Sequence, residues 1–275
     1  KFISNRGEIY KIIKNSYYDA VVTDSDYNFS PRIYLRNIPH IAINNTPALK
    51  NQYDRKQNLP SNLYAQLMIE VADFIYHKTF PNLVLAPTLT NTKRSKENKI
   101  YFFPPFIREG LIPRSNSTSV KNILIMFSAS SFNIELSFLG ELNRLLPGVH
   151  FDIVGCTGES NSRCTFHGKT MENKHLINQA DILVINGGAS SLYESIALNI
   201  PSVIIPIENH AEQYLNAKQV EKLGLGIIAN KNDITGSILK LYKNYKYYRD
   251  NHSRFVIHEN GAAEAAKLIE SFISQ

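Results

Sequence analysis

The chain of 275 residues has only two cysteines, Cys156 and Cys164. That excludes a disulfide-built scaffold and fits a reducing compartment, so a cytoplasmic protein is expected. No apolar run reaches the ~18 residues of a membrane-crossing helix, so a membrane-spanning class is not expected. The first residues, KFISNRGEIYKIIK, carry neither a signal-peptide pattern nor an initiating Met. The expectation is therefore that the beginning of the first domain is missing. Metal ligands are sparse as well. Cys156, Cys164, His167 and His175 form a C-x7-C-x2-H-x7-H series that matches no common zinc module, so no metal site is expected.

What remains is the balance of a folded globular chain, 43% hydrophobic and 20% charged. The net charge of +6 is concentrated in two places. KRSKENK (93–99) carries +3, and KLYKNYKYYRDNHSR (240–254) carries +4 with four tyrosines. The second run reads first as the solvated face of a helix with tyrosines packed beneath. Its next reading is attraction to anionic lipid, at roughly 1 kcal/mol per basic residue near the surface. That adds peripheral association with the cytoplasmic face of a membrane to the expectations. Nucleic-acid binding by phosphate contact and stacking ranks last.

Strand-like runs alternate with helical patterns, which predicts an α/β architecture of mostly parallel sheets. Strands are expected at 18–24, 37–45, 82–87 and within IYFFPPFI (100–107). A helix is expected over 61–80, with its core stripe at 63, 67, 71, 74 and 75. A polar, Pro-containing stretch at 88–120 reads as the end of one domain and a linker. A second series then runs through strands at 122–130, 150–155, 181–185, 202–207 and 225–230. Helices at 135–146, 173–180, 211–224 and 261–274 accompany it. The expected division is residues 1–108, with too few strands for a complete domain, and 109–275. The last helix is expected to pack back on the first domain.

The decisive stretch is INGGASSLYESIALNIPSVIIPIENHAEQ (185–213). A strand ends at Asn186-Gly187-Gly188 and turns into a helix, whose free N–H groups and positive dipole end suit a diphosphate. Two glycines let the backbone approach a ligand closely. SLYE (191–194) also reads as a capping box, with Ser191 at the N-cap and Glu194 answering backbone donors. Gln213 lies nineteen positions beyond Glu194, just past the next strand end, so both are expected on one sheet edge.

NGGASSLYE, NIP, SVIIP and EQ together resemble the donor domain of GT-B-fold, nucleotide-sugar-dependent glycosyltransferases. HAEQYLNAKQVEKLGLGI is similar to the same region of UDP-glycosyltransferases and MurG-type N-acetylglucosaminyltransferases. The resemblance covers roughly residues 120–275, with YFFPPFIREGLI as the linker. It implies two Rossmann-like doubly wound domains, the first incomplete. It also implies sugar transfer, without metal or other cofactor, from a nucleotide-sugar donor to a lipid, glycan or small-molecule acceptor.

Ser128, Ser130, Asn186, Gly187, Gly188, Ala189, Ser190 and Ser191 would lie along the diphosphate, and Glu194 would bind the ribose. Thr170 and Met171 would clamp the base, and His210, Glu212 and Gln213 would contact the sugar. Asp24 stands where some relatives orient a catalytic histidine, with Asp26 as an alternative; the principal base is expected outside this chain. Asn186 replaces the family's common His, and FSASS lacks the glycines of the MurG-type loop. Two other readings stay open: a UDP-sugar hydrolase of the PseG type, and a non-catalytic donor-binding subunit.

Overall fold

A computed structural model describes residues 18–25, 33, 35–52, 59–89, 94–113, 119–127, 137–230, 232–255 and 260–274. The chain divides into two compact units, one of residues 1–54, 67–106 and 259–275 and one of 55–66 and 107–258.

In the first unit, β1 (Val21–Asp24) and β2 (His40–Ile43) precede helices α1 (Thr46–Gln52) and α2 (Tyr64–Thr79). Strands β3 (Leu83–Pro87), β4 (Ser95–Glu97) and β5 (Ile100–Phe103) follow. Among the described residues they form one sheet in the order β1-β2-β3-β5-β4, parallel except for the β4 edge. Ile41, Leu85 and Phe103 build its core with Ala265 from the chain's last helix, Gly261–Ile273. That helix starts close against the sheet: the Gly261 amide donates to the Pro105 carbonyl at 3.1 Å, and a β-carbon there would meet the Pro104 oxygen at 2.1 Å.

Two expectations are corrected here. The basic run read as linker contains β4, folded back on β5 through a two-residue turn with Asn98 at φ 56°, the left-handed value primed hairpin turns demand. Arg94 and Lys96 lie over the Tyr101 ring at 5.6 and 4.9 Å. The charge thus rests on an aromatic face. The apolar stripe expected of the helix over 61–80, moreover, is only partly buried: Leu63 is buried and Phe74 packs on the cluster of Val84 and Phe102, but two other positions turn outward. Val71 and Ile75 are 43% and 58% exposed, whereas Asp73 and His77 are buried. The cause is a polar seam under the helix. His77 Nδ1 sits 2.9 Å from Asp73 Oδ1, and Asn44, just past β2, donates to Asp73 Oδ2 at 3.1 Å. Buried polar groups that satisfy one another outweigh the pull of two aliphatic side chains.

In the second unit, β6 (Asn122–Met126), α3 (Phe138–Leu145), β7 (His150–Val154) and β8 (Cys164–Gly168) come first. Then follow α4 (Lys174–Gln179), β9 (Ile182–Ile185), α5 (Ala189–Ala197), β10 (Ser202–Ile204), α6 (Ala211–Lys222) and β11 (Gly226–Ile228). Helices α7 (Ile234–Lys243) and α8 (Tyr245–Arg254) complete it, so the tyrosine-rich basic run is helical. Tyr245 and Tyr248 are buried and Tyr247 is 59% exposed.

Among the described residues the sheet runs β11-β10-β9-β6-β7-β8, with every neighbouring pair parallel. Every residue of β9 is buried, as a central strand covered on both faces requires. Ile123, Phe151 and Val184 pack on one face against Leu142 of α3 and Leu241 of α7. Strand β8, which the sequence pattern did not mark, is the sixth strand, parallel to β7, and its residues are mostly half-buried.

Candidate functional site

Register places the site. Ile185 pairs with Met126 on one side and Ile204 on the other, so β6, β9 and β10 end level. The turns after them therefore emerge along one carboxyl edge, where ligands of open α/β sheets bind. Asn186 is buried there and its Nδ2 donates to the Ile205 carbonyl at 3.1 Å, tying the turn after β9 to the end of β10. Ser128 and Ser130, after β6, lie outside the described residues, as does Asp26.

The two glycines do different work. Gly187 meets the start of α6: a β-carbon on it would lie 2.3 Å from the Gln213 carbonyl oxygen, and Asn216 Nδ2 donates to the Gly187 carbonyl at 3.2 Å. Gly188 faces open space and has φ −66° and ψ 137°, a backbone any residue adopts. Its missing side chain matters only to something arriving from outside.

Gly188 is also the N-cap of α5, and this corrects the capping-box reading. The extended backbone at Gly188 starts the helix at Ala189, so Ser191 is its third residue rather than its cap. Gly188 has no side chain to cap with, which leaves the first-turn N–H groups of Ala189, Ser190 and Ser191 without a partner from the cap position.

Glu194 is not turned back to the backbone. Its carboxylate, 7% exposed, takes a fork from Arg108: Nε donates to Oε1 at 2.5 Å and Nη2 to Oε2 at 3.0 Å. Nη2 also donates to Asn173 Oδ1 at 3.0 Å, at the start of α4. One guanidinium thereby joins the β8–α4 turn to α5. A buried carboxylate is tolerated only with such a partner, and Arg108 is the site residue the sequence reading missed. Its only signal was a lone arginine at the end of FFPPFIR.

The remaining candidates are spread along the same unit. Thr170 Oγ1 accepts from the Glu172 amide at 3.1 Å, and the Met171 side chain is 87% exposed. Gln213 is 9% exposed, and its Oε1 accepts from the Ile207 amide at 3.0 Å, bracing the β10–α6 turn. His210 is the N-cap of α6 and Glu212 stands in its first turn. Tyr193, 4% exposed, has its hydroxyl pushed well above the usual phenol range by burial and by the Glu212 charge. In the first unit, Asp24 ends β1 exposed, accepting from Ser25 Oγ at 3.4 Å. His40 and His77 are packed at 1% exposure.

Residues 160–271 match the profile of the glycosyltransferase family 28 C-terminal domain. The spinosyn rhamnosyltransferase SpnG superposes on 98% of this chain and 77% of its own with a TM-score of 0.65 at 14% identity. The chain has the fold of GT-B glycosyltransferases, and residues 160–271 resemble the family 28 C-terminal domain. Curated relatives include an enzyme of Clostridium kluyveri named UDP-N-acetylglucosamine–N-acetylmuramyl-(pentapeptide) pyrophosphoryl-undecaprenol N-acetylglucosamine transferase. It is 32% identical over 30% of this chain and 24% of its own length. The enzyme of the same name from Clostridium botulinum is 24% identical over 95% of this chain and 76% of its own. The first three such relatives are matched over only 24% to 39% of their length.

Proposed function

We propose that this GT-B protein transfers a sugar from a nucleoside-diphosphate sugar, UDP-sugars first, to a hydroxyl of a lipid, glycan or small-molecule acceptor. The observation that carries the reading is the uncapped α5 N-terminus behind open Gly188, with Glu194 held by Arg108 farther along the same helix. Six residues of helix span about 9 Å, a reach that suits a diphosphate at one end and ribose hydroxyls at the other. The relatives' names and the thymidine diphosphate complex of SpnG support a nucleotide ligand of this class.

In this reading the acceptor oxygen bonds to the sugar's anomeric carbon as the bond to the diphosphate breaks, and the hydroxyl proton passes to a base. Asp24 is the candidate to orient that base rather than to act as it. The α5 N–H groups and dipole take up the negative charge of the departing diphosphate, so the step is proposed to proceed without a metal. Thr170 and Met171 flank the base, and His210, Glu212 and Gln213 address the sugar. The exposed lysines of α7 and α8 favour an anionic membrane surface, where a lipid acceptor would be met.

The test is nucleoside-diphosphate release from UDP- and dTDP-sugars, with and without a hydroxyl acceptor and with chelator present. Acceptor-dependent release in chelator supports the proposal. Release to water alone makes the protein a hydrolase, and no release from any donor contradicts it.

A further inference from the structure

The β10–α6 turn also lines a second crevice, of about 440 Å³, in which Gly188, Glu194 and Gln213 take no part. Its size falls in the ordinary range for small-molecule pockets. Pro60 and Leu63, ahead of α2, and Pro206 and Ile228 give it apolar walls. Tyr214 of α6 adds a ring, with Lys218 Nζ 6.0 Å from its centroid.

The polar lining is of a particular kind. Three carboxamides, Asn62, Asn209 and Asn230, face the space, and Asn62 Nδ2 donates to Asn209 Oδ1 at 2.8 Å. Asn230 Oδ1 accepts from the Asn232 amide at 3.0 Å, and each carboxamide keeps further donor and acceptor capacity that matches hydroxyls, which are themselves both. Among the described residues the crevice holds one cation, Lys218, paired with Glu221 at 2.9 Å, and Glu208 adds a further carboxylate. Two carboxylates against one ammonium disfavour phosphates and nucleotides. Alternating carboxamides with a ring and small apolar walls suit a neutral ring that is polar at its rim and apolar on its face.

We propose that this crevice binds a neutral saccharide, its ring face on Tyr214 and its hydroxyls on the Asn62, Asn209 and Asn230 carboxamides. The site is separate from the nucleotide site, and its argument does not rest on the proposed transferase activity. The two share one element: Ile207 lines the crevice while its amide donates to Gln213 Oε1. A sugar seated there stiffens the turn that positions Gln213.

The test titrates maltose, cellobiose and N,N′-diacetylchitobiose into the full chain, followed by saturation-transfer NMR and calorimetry, with and without saturating UDP. The expected result is binding of at least one with a Kd of about 1 mM or tighter, unchanged by UDP or by Glu194→Ala. Tyr214→Ala and, separately, the exposed Asn230→Ala should each weaken it about tenfold or more, a loss of roughly 1.4 kcal/mol. A melting curve for each variant confirms the fold, and Asn230→Ala decides should Tyr214→Ala fail to fold. Binding that UDP or Glu194→Ala abolishes belongs to the nucleotide site and overturns the proposal. So does the absence of binding by all three sugars at about 20 mM, more than tenfold above that Kd.

Discussion

Gly187 touches the backbone of Gln213 so closely that a methyl group on it would lie 2.3 Å from the Gln213 carbonyl oxygen, while Gly188 beside it meets nothing within 4 Å. One glycine joins two helix starts, and the other keeps a doorway clear. Gly187→Ala is therefore expected to cost about 1–3 kcal/mol by overpacking. Gly188→Ala should leave the melting temperature nearly unchanged and weaken nucleoside-diphosphate binding about tenfold or more, 1.4 kcal/mol on the same scale. Melting curves and calorimetry on the two variants check the contrast.

Arg108 and Glu194 form a second separable pair. Arg108→Ala strands a carboxylate that is 7% exposed and should destabilise the second unit by about 1–2 kcal/mol, less than a fully buried pair because the guanidinium is 39% exposed. Combining it with Glu194→Ala should recover part of that stability without recovering nucleotide binding. Urea melts of both variants, paired with nucleotide titrations, measure this.

Acid should act through two histidines. Burial, with smaller contributions from His77 and Lys99, pushes His40 down to about 4. Burial likewise pushes His252 down to about 4, with Arg249 adding to it and the Leu225 carbonyl opposing it. Between the ordinary value of 6.5 and about 4, the unfolded chain binds protons that the folded chain refuses. Stability is thus complete above pH 6.5 and falls as pH drops through that window, by roughly 3 kcal/mol per histidine at most. Thermal melts at pH 7 and pH 5 should show the loss, and His252→Gln should reduce it.

Helix α2 offers a test of orientation. Ile75→Ser, on the exposed side, should change stability by no more than about 0.5 kcal/mol. Asp73→Ala removes the buried carboxylate that faces His77 and Asn44 and should cost about 1–3 kcal/mol. The reverse ranking in urea melts would contradict the buried polar seam.

What a sequence shows and what it hides differ in physical kind. Strand β9 and its glycine pair were legible because a central strand is apolar throughout and the turn follows it directly. The face of α2 was misread at Val71 and Ile75 because periodicity counts apolar residues and does not see that Asp73, His77 and Asn44 pair beneath the helix. Arg108 was invisible for a different reason: its partner Glu194 lies 86 positions along the chain. The capping box looked right in SLYE, yet Gly188 starts the helix earlier and leaves Glu194 to Arg108. Strand β8 escaped because CTFHG is short and mixed in polarity, carried by pairing to β7 rather than by an apolar pattern.

The most direct measurement of the central claim is a thermal-shift titration of this chain with UDP, dTDP, ADP, GDP and CDP, repeated on Glu194→Ala and Gly188→Ala. A nucleotide at about 100 times its Kd adds roughly 2.7 kcal/mol of stability. The account expects stabilisation by UDP or dTDP that both substitutions abolish or sharply reduce. No stabilisation by any of the five, or stabilisation that neither substitution alters, would contradict a nucleotide-sugar site at the start of α5.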